Sequence, residues 1–152
     1  MAEACSILVL SGPNLNLLGT REPSIYGRES LADIHGRLER LAGELGASVD
    51  CRQHNGEGEL IDALHGARGR FAGIVFNPGA YAHTSFALRD AVAAIGVPVV
   101  EVHLSNVFAR EPFRHTSVIA PVAWGTLSGL GSLGYELALR ALAARARKSG
   151  NS

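Results

Sequence analysis

The sequence predicts a single α/β domain over residues 1–152, built on a parallel sheet with helices on both faces. Two observations carry this prediction. Short apolar runs of strand length alternate with segments of helical periodicity, and 152 residues is an ordinary length for one domain. Hydrophobic residues make up 47% of the chain and charged residues 18%, which is a globular composition.

The amino-terminal part contains a strand and then a long helix. Ser6–Leu10 is a continuous apolar run with β-branched residues that ends before Gly12 and Pro13. Ser30–Leu45 is predicted to be helical, with Ser30 as a possible N-cap and Gly46 as its stop. Its apolar positions recur at steps of three and four: Leu31, Ile34, Leu38, Leu41 and Leu45.

The same alternation continues through the middle of the chain. Ala47–Gln53, Phe71–Phe76 and Val97–Val102 are predicted to be strands, because each is a short run rich in apolar or β-branched residues. Glu59–Arg68 and Thr84–Ala94 are predicted to be the helices that connect them.

The carboxy-terminal part supplies a last strand and a last helix. Ser117–Ala123 is predicted to be the fifth strand, with Pro121 placing it at a sheet edge. Leu133–Arg147 is predicted to be an amphipathic helix. Five strands linked by right-handed crossovers predict a flavodoxin-like three-layer sandwich with strand order 2-1-3-4-5.

The basic residues exclude several kinds of chemistry. Lysine and arginine together number 14, and Lys148 near the C-terminus is the only lysine, so a buried lysine that forms an imine is excluded, as is a phosphate-binding P-loop. Acidic residues also number 14, so the formal net charge is zero, which argues against nucleic-acid binding. No apolar stretch is long enough to span a membrane.

Cysteine and glycine patterns point to no metal or dinucleotide. Cys5 and Cys51 form no CxxC motif, and with no zinc-type histidine spacing they predict a reduced, cytoplasmic protein without a metal site. Gly129–Gly134 fits G-x-G-x-x-G, but no strand and no acidic residue follow the next helix, so close helix packing is the preferred interpretation.

Polar residues follow three of the predicted strands. Asn14 follows the first strand, Asn77 and His83 follow the third, and His103 and Arg114 lie at and beyond the end of the fourth. Ligands of open parallel sheets bind beyond the carboxyl ends of the strands, where the strand order reverses. Arginine, asparagine and histidine donors suit an anionic, hydroxylated small molecule.

Two pairs of residues suggest acid–base chemistry. Glu101 and His103 are two residues apart on a strand and so share a face, where the carboxylate can orient and charge the histidine as a general acid. Arg21 lies five residues before Tyr26, and a nearby guanidinium favours a tyrosinate base. Simpler interpretations stay open: Tyr26 as a surface anchor, Glu101 and His103 as a structural pair, and the arginines as solvated loop charges.

Segments at these loops closely resemble the type II 3-dehydroquinate dehydratases. The resemblance covers nearly the whole chain, in order: GPNLNLLGTREPSIYG at Gly12–Gly27, EGELID at Glu57–Asp62, NPGAYAHTSFALRDA at Asn77–Ala91, PVVEVHLSNVFAREPFRHTS at Pro98–Ser117, and the glycine-rich segment into GYELAL. It implies dehydration of 3-dehydroquinate to 3-dehydroshikimate through an enolate, in the shikimate pathway of aromatic amino acid biosynthesis.

The resemblance also implies roles for the reacting groups. Tyr26 is expected to be the base, with Arg21 lowering its pKa. Asn14 is expected to hold a water that stabilises the enolate. His103, supported by Glu101, is expected to protonate the departing hydroxyl.

Further residues are expected to bind the substrate. Asn77 and the backbone amides of Leu104 and Ser105 are expected to hold its carboxylate, and His83 and Arg114 its ring hydroxyls. Asp90 is expected to reach the site of a neighbouring subunit.

The resemblance implies no metal and no organic cofactor, and a homododecamer built as a tetramer of trimers. The alternative from another class is a flavodoxin-like binding or signalling module. A flavin site favours a Ser/Thr-rich loop after the first strand, and a phosphoacceptor site favours acidic residues there, and GPNLNLL offers neither.

Overall fold

Five parallel strands form the central layer of this protein. The computed structural model describes residues 5–20, 24 and 28–150. The strand order is β2-β1-β3-β4-β5, which confirms the predicted flavodoxin-like topology. In chain order the strands are β1 Cys5–Ser11, β2 Ala47–Gln53, β3 Gly73–Asn77, β4 Val99–His103 and β5 Gly125–Ser128.

In the described part of the chain, four α-helices cover the two faces of the sheet: α1 Leu31–Glu44, α2 Glu57–Gly66, α3 Phe86–Ile95 and α4 Leu133–Gly150. Alternate residues of β1 enter different cores, because successive side chains of a strand point to opposite faces. Ile7 and Val9 pack with residues of α1 and α4, whereas Leu8 and Leu10 pack with residues of α2 and α3.

The start of α1 shows why its position was predictable. Ser30 and Asp33 form a capping box in which the Asp33 N–H donates to Ser30 Oγ and the Ser30 N–H donates to the Asp33 carboxylate, both at 3.1 Å. The hydrogen bond from the Ser30 N–H, followed by that from the Ser30 hydroxyl, also holds the pKa of Asp33 below its usual value. After the helix, Gly46 has φ 71°, a left-handed conformation that glycine adopts without strain.

The predicted fifth strand, Ser117–Ala123, is wrong. This segment turns instead, with a 3-10 helix over Ala120–Val122, and the last strand is Gly125–Ser128. The hydroxyl oxygen of Ser117 accepts the N–H groups of Ile119 and Ala120 at 3.1 and 3.0 Å, which folds the chain back and prevents extension. Pro121 marks the first turn of the 3-10 helix and not a sheet edge.

Other boundaries differ by a few residues. Helix α2 begins at Glu57, two residues earlier than predicted. Helix α3 begins at Phe86, two residues later than predicted. Strands β3 and β4 each continue one residue further than predicted, so that Asn77 and His103 are their last residues. The last position of a parallel strand is where a side chain reaches a site beyond the sheet edge.

The glycine-rich segment before α4 packs closely, as predicted. A Cβ atom added to Gly134 would lie 3.3 Å from a methyl group of Val102, and one added to Gly129 would lie 3.1 Å from Cβ of Asn106. Within the described residues, no helix combines the length and apolarity that crossing a membrane requires.

Candidate active site

A cleft opens beyond the carboxyl ends of β1, β3 and β4, where the strand order reverses. Seven of the predicted site residues line it: Asn14, Asn77, His83, His103, Leu104, Ser105 and Arg114. The remaining lining residues are Pro13, Leu15, Gly79, Ala80, Val107 and Arg110. The structure therefore brings together side chains from all three of the loops that the sequence singled out.

The loops after β1 and β3 are held tightly against each other. The Gly12 N–H donates to the carbonyl of Asn77 at 2.8 Å. A Cβ atom at Gly12 would lie 2.7 Å from the carbonyl oxygen of Pro78, closer than real contacts allow. Position 12 therefore requires glycine, and the two loops form one continuous wall of the cleft.

Asn14 has an uncommon backbone conformation. Its φ is 70°, and it is the one non-glycine residue with a positive φ within the described part of the chain. Its N–H donates to Asn55 Oδ1 at 3.1 Å, and the same oxygen accepts from Gln53 Nε2 at 3.0 Å. The loop after β2 thus holds Asn14 in this conformation, and such held outliers are frequent at functional sites.

The Asn77 side chain is fixed from behind. Its Oδ1 accepts the Gly79 N–H at 3.1 Å, which identifies the other atom as Nδ2, and Nδ2 donates to the hydroxyl oxygen of Tyr135 at 3.1 Å. Tyr135 is fully buried, and this burial raises its pKa to about 12, so the phenol stays neutral. The same hydroxyl forms a second hydrogen bond, with Ser11 Oγ 2.9 Å away.

His103 and Glu101 form a close hydrogen-bonded pair at the site. His103 Nε2 lies 2.6 Å from Glu101 Oε2, and the Glu101 side chain is 2% exposed. An ionised carboxylate only accepts hydrogen bonds, so Nε2 carries the proton. The other carboxylate oxygen, Oε1, accepts from the hydroxyl of Ser117 at 2.8 Å. Glu101 is thus behind the cleft and orients a histidine that lines it.

His83 faces His103 across the cleft. The two imidazole rings stack with their centroids 6.1 Å apart and their planes 20° from parallel. His83 Nδ1 donates to the carbonyl of Thr116 at 2.8 Å, so its Nε2 is the acceptor of the neutral ring. The site thus contains one imidazole paired with a carboxylate and another paired with a carbonyl.

Arg114 gives the cleft a fixed positive charge. Its Nε donates to Glu111 Oε1 at 2.9 Å, and its guanidinium lies 4.7 Å from the centroid of the Phe113 ring. The hydrogen bond from Arg114 lowers the pKa of Glu111. Glu111 and Phe113 thus hold the guanidinium in place. Its terminal nitrogens can donate to an anionic or hydroxylated ligand.

Of the predicted site residues that the structure describes, Asp90 lies apart from this cleft. Asp90 is on α3 with its side chain 75% exposed, beside Arg89 at 3.3 Å, and it does not line the cleft. Arg21 and Tyr26 lie outside the described residues.

Three supporting residues were missed by sequence reasoning: Tyr135, Ser117 and Asn55. Tyr135 falls within GYELAL and Ser117 within PVVEVHLSNVFAREPFRHTS, both segments that carry the family resemblance, yet neither segment shows what its hydroxyl contacts. Across the ranges that the structure describes, no cluster of three or more histidine, cysteine or acidic residues could hold a metal ion.

A doubly wound parallel sheet with a histidine- and arginine-lined cleft at its switch point defines the class of open α/β folds whose ligand sites lie beyond the carboxyl ends of the strands. Within that class, the family model described as dehydroquinase class II matches residues 5–143. The chain belongs to this family.

Individual relatives agree with the family match. The 3-dehydroquinate dehydratase of Halalkalibacterium halodurans is 61% identical over 137 residues, which cover 90% of this chain and 94% of the relative. The enzyme of the same name from Desulforudis audaxviator is 63% identical over 135 residues, which cover 89% and 90%. The crystal structure of the type II dehydroquinase from Propionibacterium acnes superposes with a TM-score of 0.90 at 44% identity, covering 95% and 99% of the two chains.

Proposed function

We propose that this chain is a hydro-lyase that dehydrates 3-dehydroquinate to 3-dehydroshikimate in the shikimate pathway of aromatic amino acid biosynthesis. The observation that carries the proposal is the His103–Glu101 pair at 2.6 Å, in the same cleft as Asn14, Asn77 and Arg114. Relatives near 60% identity that bear the name 3-dehydroquinate dehydratase support this substrate.

The proposed first step is removal of a proton from the carbon next to the substrate ketone. Tyr26, as a tyrosinate, takes this proton, and the positive charge of Arg21 favours the tyrosinate form. The electron pair of the broken C–H bond moves into an enolate. A water held by Asn14 stabilises the enolate oxygen. The fixed backbone of Asn14, with φ 70° beside the cleft, supports this role because it holds the side chain in one place.

The proposed second step breaks the carbon–oxygen bond to the leaving hydroxyl. The enolate electron pair returns to form the conjugated double bond, and His103 gives a proton to the hydroxyl, which leaves as water. Glu101 supports this role because its carboxylate stabilises the protonated imidazole. Transfer of the proton from Tyr26 back to His103 restores both groups.

The carboxylate of the substrate is proposed to bind Asn77 and the backbone amides of Leu104 and Ser105. The carbonyl of His103 accepts from the Gly129 N–H at 3.3 Å, and that of Leu104 accepts from the Gly131 N–H at 3.0 Å. The N–H of a trans peptide points opposite to its carbonyl. The N–H groups of Leu104 and Ser105 therefore point away from the glycine-rich segment. This direction supports their role as hydrogen-bond donors to the substrate carboxylate.

The ring hydroxyls are proposed to bind His83 and Arg114. The acceptor nitrogen of His83 and the donor nitrogens of Arg114 together match a hydroxyl, which both donates and accepts.

Turnover is tested by adding 3-dehydroquinate and following the ultraviolet absorbance of the conjugated enone product. The wild-type chain is expected to produce it, and His103→Asn is expected to lose at least about 100-fold in kcat. His65→Asn removes an imidazole from the exposed face of α2 and serves as the matched control with unchanged rate. A folded wild-type protein without this signal would favour the binding-module alternative.

The assembly is proposed to be a homododecamer, a tetramer of trimers, in which Asp90 reaches a neighbouring subunit's site. Phe86 is 68% exposed and lies four residues before Asp90 on α3, so both share one face of the helix. An exposed aromatic ring beside an exposed carboxylate suits contact with a second copy. Light scattering is expected to give about twelve chain masses, and a monomer would refute the proposal.

The protein is proposed to function in the cytoplasm. Cys5 and Cys51 are free thiols on neighbouring strands, and Cys51 pairs with Val9, four residues beyond Cys5. That offset separates the two cysteines by about 13 Å along the strand direction, too far for a disulfide. Burial also raises the pKa of Cys51 to about 12, so this thiol stays protonated.

A further inference from the structure

We propose that Ser117 is a positioning residue of the reaction, which acts on the acid His103 through the carboxylate of Glu101. This inference rests on the proposed function, because it assigns a supporting group to the proposed acid. Ser117 lies 14 residues beyond His103 in sequence, within the segment that turns before β5.

The Ser117 hydroxyl has one direction in which to donate. A hydroxyl has one hydrogen and two lone pairs. Both lone pairs are used, because Ser117 Oγ accepts the N–H groups of Ile119 and Ala120 at 3.1 and 3.0 Å. The hydrogen is therefore directed to Glu101 Oε1, 2.8 Å away. The local turn fixes this donor without any need for Glu101.

Glu101 then connects Ser117 to His103. Its Oε1 accepts from Ser117 and its Oε2 accepts from His103 Nε2 at 2.6 Å, so one carboxylate divides its charge between two donors. Glu101 itself is 1% exposed, so little water is available to replace a lost donor. In such surroundings a hydrogen bond to a charged group is stronger than in water.

Two consequences follow for the acid. The Ser117 bond fixes the plane of the carboxylate, and hence the direction of the His103 ring. It also withdraws charge from Oε2, so that this oxygen attracts the Nε2 proton less strongly and the imidazolium gives up a proton to the leaving group more readily. Loss of Ser117 should therefore tighten the Glu101–His103 hydrogen bond and weaken the acid.

The test compares Ser117→Ala with the conservative Ser117→Thr, which keeps the hydroxyl. In Ser117→Ala, kcat is expected to fall about tenfold while KM stays within about twofold, because Ser117 does not line the proposed substrate cleft. Ser117→Thr is expected to recover most of kcat. In a Glu101→Gln background the Ser117→Ala change should have little further effect, because the two residues act as one unit.

A second measurement does not depend on turnover. The Nε2 proton of His103 is identified by proton NMR as the downfield resonance that disappears in His103→Asn. It is expected to move further downfield in Ser117→Ala and to return in Ser117→Thr. This NMR measurement tests the inference even if the wild-type chain does not turn over 3-dehydroquinate. Absence of turnover would count against the proposed function alone.

Ser30→Ala controls for the loss of a turn cap, because Ser30 Oγ also accepts a backbone N–H but lies at the start of α1. Both alanine variants are expected to unfold more easily. Only Ser117→Ala should change kcat and the His103 resonance. An unmoved or upfield-shifted resonance in Ser117→Ala, or a fall in kcat that Ser117→Thr does not reverse, would overturn the proposal.

Discussion

Asn77 Nδ2 donates to the hydroxyl oxygen of Tyr135 at 3.1 Å, so a buried tyrosine of α4 orients an amide at the end of β3. Tyr135→Phe removes the acceptor and leaves the Asn77 amide held only through its Oδ1, by the Gly79 N–H. We expect KM for 3-dehydroquinate to rise about fivefold, the equivalent of roughly 1 kcal/mol for one hydrogen bond, with kcat little changed. Steady-state kinetics provides the measurement.

Ser11→Ala is the control for this prediction. It removes the other partner of the Tyr135 hydroxyl, 2.9 Å away, and leaves the bond from Asn77 in place. Both variants should lose stability, because each leaves a buried polar group with one partner fewer. An equal rise in KM in both would show that general loosening, and not the Asn77 amide, is responsible.

Asn55 is predicted to be needed for the conformation of Asn14. Its Oδ1 accepts the Asn14 N–H at 3.1 Å and so helps to hold φ at 70°. Asn55→Ala removes this acceptor and is expected to lower kcat about fivefold. Asn55→Asp keeps an acceptor oxygen at the same position and should retain more of the rate. If the alanine variant is as active as wild type, Asn14 holds its conformation without this contact.

Much of the site was predictable because parallel strands deliver their last residues to one edge of the sheet. Asn77 and His103 follow apolar runs, so the sequence itself locates them at strand ends. Tyr135 was not predictable, because an aromatic residue in an amphipathic helix has the pattern of ordinary core, and its partner is 58 residues away.

The error in the fifth strand has a similar cause. Ser117–Ala123 has the apolar composition of a strand, but whether it extends depends on a hydroxyl that competes for backbone N–H groups. Composition does not reveal that competition. The partner of Ser117 is likewise set by tertiary structure, because Glu101 lies on β4.

The protein is predicted to become less stable in mild acid because of His35, a half-buried residue of α1. Burial lowers its pKa from 6.5, despite the opposing charge of Glu39. The folded state therefore favours the neutral ring: its contribution to stability is complete above about pH 6.5 and is lost as pH falls toward the lower, folded-state pKa.

Urea unfolding at about pH 7.5 and 5.5 tests this dependence on His35. His35→Gln is expected to show a smaller loss of unfolding free energy between these pH values than wild type. His65→Gln, on the exposed face of α2, is expected to keep the wild-type loss. Equal losses in wild type and His35→Gln would assign the dependence to other groups.

Mixed assemblies are predicted to regain activity if Asp90 acts in a neighbouring subunit's site. Asp90→Asn chains keep His103, and His103→Asn chains keep Asp90. Dissociating and reassembling the two variants together should create some complete sites and restore up to about a quarter of wild-type kcat, assuming random mixing. Asn77→Ala with His103→Asn is the control, because both changes lie in the same cleft and no recovery is expected. Equal recovery in both mixtures would contradict the assignment.

The strands pair in a register that places Ser11 opposite Asn77 and His103 opposite Ser128. The length of each strand therefore fixes where its last side chain lies in the cleft. One residue inserted within β3 would advance Asn77 by about 3.3 Å and turn its side chain to the opposite face of the sheet. An extra residue in the turn between α2 and β3 would leave every strand end in place. Natural insertions and deletions should therefore collect in the turns at the amino ends of the strands, while the strands themselves keep a constant length.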